Sequence, residues 1–338
     1  MSAWHTTWLA VLGVAMAAWV SACSDRKPIT PEIPPPCSSA DDTVLVAQDW
    51  HPAWSSDGRT IAYQHESFSH SAGPSGIYVV RVYEDSVSKP CRMTRPMSFV
   101  FWLRFAPDGR RLVYYWGNIF LLDLDTQEVT QLTQGGRVGT PDWHPDGQHI
   151  LYSGEPRAES PADSGSIRVL DLATGDSHGL RLANGRVVYG GGARWDPSGS
   201  SFVYTRYDRG TRGSEVFRVW PASSTEKRLT HRGWTCESPK WFRNGAEVIF
   251  QINPNEIPAP NTADWWVVGA SGSEPRPFLN PNVQIKLGYT FDFSPDWNQV
   301  VVCRPANCGT YWALWIIRFN ETEILEERQI TGLPGQLP

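Results

Sequence analysis

PDWHPDGQHILY, from Pro141 to Tyr152, reads as a β-hairpin, and the chain repeats it. Pro presets φ for a tight turn, the Asp side chain bonds its own backbone, and Gly accepts the positive φ such turns need. Ile150 and Tyr152 stand two apart, so they share one face of the strand that follows the turn. Five more segments align with this one without gaps: PAWSSDGRTIAY from Pro52, LRFAPDGRRLVY from Leu103, ARWDPSGSSFVY from Ala193, PKWFRNGAEVIF from Pro239 and FDFSPDWNQVVV from Phe291. The third position is aromatic in every copy: Trp54, Phe105, Trp143, Trp195, Trp241 and Phe293. These rings are the expected repeat core, filling the space between neighbouring sheets. The sixth copy puts Trp297 where the others carry Gly, which leaves the geometry of its turn open.

A second strand pair follows each hairpin. IYVVRVY (77–83), IFLLDL (119–124), IRVLDL (167–172), VFRVW (216–220), WWVV (265–268) and WALWIIRF (312–319) read as third strands. Fourth strands end on an apolar-Thr pair at Met93-Thr94, Leu132-Thr133, Leu229-Thr230 and Ile330-Thr331, while the third and fifth units end on Arg181-Leu182 and Phe278-Leu279. Successive turns lie 51, 38, 52, 46 and 52 residues apart, about the length of one four-stranded blade. Such units cannot bury their faces singly, and a closed ring leaves no sheet edge exposed. The expected fold is all-β, a six-bladed β-propeller of four-stranded antiparallel blades over residues 43–338. TVLVA (43–47) would add a strand to the last blade and latch the ring. Two smaller β domains are the alternative, but no linker interrupts the repeats.

The WSPDG-type turn followed by an apolar-x-aromatic strand resembles the propeller repeat of the TolB family. It is also similar to the propellers of prolyl-oligopeptidase-like peptidases. The resemblance covers nearly all of residues 50 to 331 and implies an envelope protein with envelope partners. It is a likeness of fold, and fold does not fix function.

Residues 1–22 read as a signal peptide with an apolar core from Trp8 to Val20, and Val20-Ser21-Ala22-Cys23 resembles the bacterial lipobox. Cys23 is therefore the expected lipidation site. The segment before the core carries no Lys or Arg, and cleavage after Ala22 without a lipid is the alternative. Residues 23–42 are polar and Pro-rich and read as a tether. The expected location is the periplasm or the cell surface, anchored by lipid and more readily in the outer than the inner membrane, with no other membrane contact. The formal charge is −5, against the strongly basic balance usual for nucleic-acid binding, so no nucleic-acid partner is expected. Cysteine usage fits an oxidising compartment. Cys303 and Cys308 flank a four-residue loop and are expected to form a hairpin disulfide. The pairing of Cys37, Cys91 and Cys236 stays open.

Chemistry is sparse. No G-x-S-x-G nucleophile elbow occurs, and the repeats use the length that a hydrolase domain would need. Asp57, Asp108 and Asp146 read as turn formers, His51 and His144 as hairpin positions, and no metal ligands or cofactor are expected. The loops between second and third strands vary in length and share a rim with the connections between units, the usual place for recognition. Those connections carry Arg95, Arg137, Arg186, Arg232 and Lys286, which would form a positive ring for an anionic partner if they converged on the axis. Tyr189 and Phe68 are candidate contact aromatics. The functional expectation is a non-catalytic binding or scaffold lipoprotein of the cell envelope, not an enzyme, engaging an envelope protein or peptide segment through the loop rim. The alternatives are a propeller enzyme of lactonase or quinoprotein type, or a glycan binder using Trp116, Trp234 and Trp265.

Overall fold

Every copy of the repeat supplies the first two strands of an antiparallel sheet. The computed structural model describes residues 47–69, 72–135, 137–155, 165–210, 212–252, 265–278, 290–306, 311–320 and 323–332. The signal and tether segments, Cys23, Cys37, Lys286 and Cys308 lie outside these residues. The first repeat gives β1 (Ala47–Trp54), β2 (Thr60–Ser67), β3 (Gly76–Arg81) and β4 (Cys91–Arg92). The second gives β5 (Phe101–Phe105), β6 (Arg111–Trp116), β7 (Asn118–Asp123) and β8 (Val129–Gln131). The third gives β9 (Arg137–Trp143), β10 (His149–Glu155), β11 (Ile167–Asp171) and β12 (Ser177–Gly179). The fourth gives β13 (Gly191–Trp195), β14 (Phe202–Asp208), β15 (Gly213–Trp220) and β16 (Thr225–Arg228). The fifth gives β17 (Cys236–Phe242), β18 (Glu247–Ile252), β19 (Trp265–Gly269) and β20 (Arg276–Pro277). The sixth gives β21 (Phe291–Phe293), β22 (Gln299–Pro305), β23 (Tyr311–Phe319) and β24 (Ile324–Gln329).

These strands build an all-β propeller with four-stranded antiparallel blades. Four of the sheets stand alone, and the strands of the first and sixth repeats form one eight-stranded sheet instead of two separate ones. The fusion has a local cause: Ala47 and Gln48 at the start of β1 pair in parallel with Tyr311 and Trp312 of β23. Ala47 thus contacts the last sheet, while residues 43–46 of the expected latch lie outside the described residues.

The turns follow from their residues. The seventh-position N–H donates to the fourth-position carbonyl at Gly58, Gly109, Gly147 and Gly199, at 2.9–3.0 Å. Trp297 makes the same bond to Ser294 at 2.9 Å and holds φ at 62°, a left-handed conformation costing an L-residue about 1–2 kcal/mol. Its ring packs on Phe242 and Phe293, which offsets the strain. The fifth turn has slid by one residue, with Ala246 N–H donating to Arg243 O and both Arg243 and Asn244 left-handed.

The apolar-Thr signal also has a mechanism. The hydroxyls of Thr94, Thr133, Thr230 and Thr331 accept the N–H of Ile77, Ile119, Val216 and Leu314, each buried in a third strand. Each Thr therefore satisfies a buried donor that no neighbouring strand reaches.

Packing runs between sheets. One core cluster joins Trp54, Ile61 and Tyr63 of the first repeat to Val301, Leu314 and Ile330 of the sixth. The third-position aromatics are the wedges: Trp143 Nε1 donates to Arg104 O at 3.2 Å and Trp241 Nε1 to Arg194 O at 2.9 Å, each reaching the preceding sheet. The turns are seated in the same sense. A Cβ built at Gly109 would lie 3.7 Å from Ser56, at Gly245 3.3 Å from Pro197, and at Gly58 3.5 Å from Pro295, so the first turn rests on the last.

Candidate functional site in the axial channel

The first strands carry an irregularity at one shared place. Their pairing with the second strands shifts register between Trp50 and Ala53, Phe101 and Arg104, Gly191 and Arg194, and Glu237 and Lys240, with a matching shift across β9 and β10. The residue just before position one is left-handed at His51 (φ 50°), Trp102 (φ 54°), Thr140 (φ 48°), Gly192 (φ 65°) and Ser238 (φ 49°). A bulge of this kind bends its strand and re-aims a side chain. These residues, with Thr290 of the sixth repeat, all border one open cavity of about 220 Å³.

Position two of the hairpin borders this cavity in three repeats. Reading around the repeats it is Ala53, Arg104, Asp142, Arg194, Lys240 and Asp292. Arg104 Nε lies 3.9 Å from Asp142 Oδ1, and Lys240 Nζ lies 3.9 Å from Asp292 Oδ1. Both carboxylates also clasp the next repeat: Asp142 Oδ2 accepts Trp195 N–H at 2.8 Å, and Asp292 Oδ2 accepts Trp54 N–H at 2.9 Å. Lys240 Nζ donates to Phe291 O. Arg194 gives Nη1 to Ala193 O at 2.9 Å, while its buried Nε has no hydrogen-bond partner among the described residues.

Among the described residues, Arg104, Arg194, Lys240 and the acid Glu237 border the cavity, and Asp142 and Asp292 stand 3.9 Å from Arg104 and Lys240. Burial pushes the Lys240 ammonium down to about 7 despite the Asp292 carboxylate, and the nearby guanidiniums add to the push. Burial takes Arg194 to about 9. His51 falls to about 3 by burial and by repulsion from Arg104 and Lys240, so its imidazole stays neutral. The Asp142 carboxyl is raised by burial, which the neighbouring guanidiniums oppose. The arrangement can take an anion: a buried N–H donor and three cations border a cavity smaller than the roughly 300–1,000 Å³ of drug-sized pockets.

The connection residues expected to form a basic ring lie elsewhere. Arg186 Nη2 donates to Glu226 at 2.6 Å, Arg232 pairs with Glu274, and Arg95 is exposed. None of these three borders the cavity. Arg137 starts β9, with its side chain outside the description, as is all of Lys286. Position two, which the aligned repeats already display, was the overlooked signal. Trp234 and Trp265 are core residues, whereas Trp116 is 46% exposed. Phe68, Phe99, Trp116, Tyr207 and Trp312 are exposed aromatics at or beside the loops of the rim where first strands begin.

Cys91 is disulfide-bonded. Cys303 carries a free thiol, so the expected bridge to Cys308 is not made. Its strand continues past it to Pro305, pairing Cys303 with Leu314, and its side chain packs on the cluster of Trp54 and Tyr63. Burial, helped by the Asp49 charge, pushes that thiol up to about 12.

No family model and no curated protein matches the chain. Solved structures do match its fold. TolB from Acinetobacter baumannii superposes with a TM-score of 0.56 at 19% identity, over 80% of this chain and 66% of that one, slightly less than two thirds of its length. Putative TolB from Agrobacterium tumefaciens gives 0.50 at 18% identity, over 68% and 79%. Oligogalacturonate lyase from Vibrio parahaemolyticus gives 0.51 at 12% identity, over 88% and 99%. The chain therefore has the propeller fold of TolB and of TolB-like proteins. The expectation that it is not an enzyme is corrected by the third match: this propeller also serves a lyase, so the fold gives no ground for excluding catalysis.

Proposed function

We propose that the chain is an envelope recognition protein that takes an anionic group of its partner into the axial channel, with the exposed aromatics of the rim holding the surrounding surface. The propeller is counted here as six-bladed, the eight-stranded sheet being two blades joined by the short parallel pairing of Ala47 and Gln48. The carrying observation is the buried Arg194 guanidinium, whose Nε has no hydrogen-bond partner among the described residues and which borders the cavity with Arg104 and Lys240. A buried donor without a partner costs about 1–3 kcal/mol, so a ligand that satisfies it gains that much. A cavity of about 220 Å³ suits one acidic side chain or terminal carboxylate better than a whole cofactor. The Cys91 disulfide supports an oxidising compartment, and with it the periplasm or cell surface, where Cys23 would hold the chain by its lipid.

Cross-linking of the full chain in its own envelope, compared with an Arg194→Gln/Lys240→Gln variant, tests this reading. The variant should lose the cross-linked partner, and millimolar small dicarboxylate should compete the wild-type complex away. A partner captured equally by both proteins would reject the axial site.

A further inference from the structure

Positions four and nine of the hairpin face each other across the turn, and only the third repeat places an imidazole at both, His144 and His149. Asp146 lies between them. Its Oδ1 accepts the N–H groups of Gln148 at 2.8 Å and His149 at 3.2 Å, which fixes the carboxylate. Its Oδ2 then faces His144 Nδ1 at 3.0 Å and His149 Nδ1 at 2.7 Å. The three candidate ligand atoms lie within 4.8 Å of one another.

The far sides of both rings are also provided for. His144 Nε2 sits 3.2 Å from Gly199 O, and His149 Nε2 3.8 Å from Asp171 Oδ2. Metal-bound imidazoles commonly give their second N–H to a carbonyl or carboxylate, which leaves the ligating lone pair bare. His144 matches this pattern through Nε2; with the proton there, its Nδ1 carries the lone pair, which accepts the Asp146 N–H at 3.2 Å, a bond the ion would replace. A lone pair 3.0 Å from a carboxylate oxygen is a repulsive contact that a cation relieves.

We propose that His144 Nδ1, Asp146 Oδ2 and His149 Nδ1 bind a divalent ion of the zinc class on the turn rim, opposite the mouth of the axial channel. Two imidazoles and one carboxylate suit zinc and its first-row neighbours, where magnesium and calcium want oxygen alone. Ligand atoms across a tetrahedral zinc stand about 3.4 Å apart, so both contacts must open slightly. The side chains are 23–37% exposed, which leaves them that freedom and gives the ion a path from solvent. Gly199 belongs to the next turn, so the ion would tie the third turn to the fourth. A Cβ at Gly199 would come within 2.6 Å of His144 Nε2, which shows how tightly the two turns are seated.

The test uses the full chain, stripped of metal and then dialysed against Zn²⁺ or Co²⁺ alone. One ion per chain is expected, with the visible spectrum of nitrogen- and oxygen-bound cobalt. His144→Gln and His149→Gln should each weaken zinc at least tenfold. Asp146→Asn, which keeps the size of the turn, should do the same with the ion-free melting curve little moved. Unchanged affinity in the double His variant would overturn the site, as would thiolate-to-cobalt bands pointing to Cys236 or Cys303, or binding well below one ion per chain.

Discussion

Positions two and three of the same hairpin are neighbours in sequence and opposites in the folded chain. Position three is a ring of aromatics wedged between sheets, nearly uniform from copy to copy, with Trp54, Trp143, Trp241 and Phe293 each under 8% exposed. Position two faces the axis and runs through Ala, Arg, Asp, Arg, Lys and Asp. The contrast shows where this architecture is rigid in its demands and where it leaves choice. A wedge must have one size and shape because close-packed interiors tolerate no void. A residue bordering the open cavity has no such mould to fill, so its size and sign can vary from copy to copy.

The sharpest break in the comparison comes from the wedge. Trp241→Ala should destabilise the chain by about 3–5 kcal/mol, since it opens a cavity and removes the bond to Arg194 O. Denaturant titration would show it, and a loss under about 1 kcal/mol would mean that the indoles do not hold the sheets. A smaller effect is expected from Lys240, which titrates at about 7 in the folded chain against 10.5 ordinarily. Between those values the unfolded chain binds more protons than the folded one, so through this group stability rises with pH across that window. The slope cannot exceed about 1.4 kcal/mol per pH unit. Around pH 7, at the low edge of that window, the axial cavity loses the Lys240 charge and affinity for an anion falls. Paired unfolding and binding titrations of wild type and Lys240→Met check both signs, and matching pH profiles would refute the assignment. Arg194→Met should move stability least, by about 1 kcal/mol or less, because the substitution removes the cost of burying a guanidinium whose Nε has no hydrogen-bond partner among the described residues. A large loss of stability would make Arg194 a structural residue like its neighbour Trp195.

What could be read in advance follows the same division. Turn, wedge and fourth-strand Thr recur in register, and recurrence is visible in a single sequence. Even the mechanism of the Thr is local, one hydroxyl reaching one strand. The axial cations were harder to read because Arg104 and Arg194 alternate with Asp142 and vanish as a charge pattern. Arg186 and Arg232 looked available until Glu226 and Glu274, 40 and 42 residues further along, came to rest beside them. His144 was read as a turn position, which it is. Its relation to His149 depends on the turn closing over Asp146. The parallel pairing that merges the first and last sheets joins residues at opposite ends of the described chain; the apolar run at 43–47 hinted at it, but nothing local marks Tyr311 and Trp312 as its partners.

The left-handed bulges in the first strands have one more consequence. At His51, Trp102, Thr140 and Ser238 the backbone already accepts a conformation that L-residues resist, and the fold tolerates four different side chains there. The lining of the shaft can therefore be rewritten residue by residue while the blades stay as they are. Selectivity and architecture are carried by separate parts of one short motif, and a lineage can change the first without renegotiating the second.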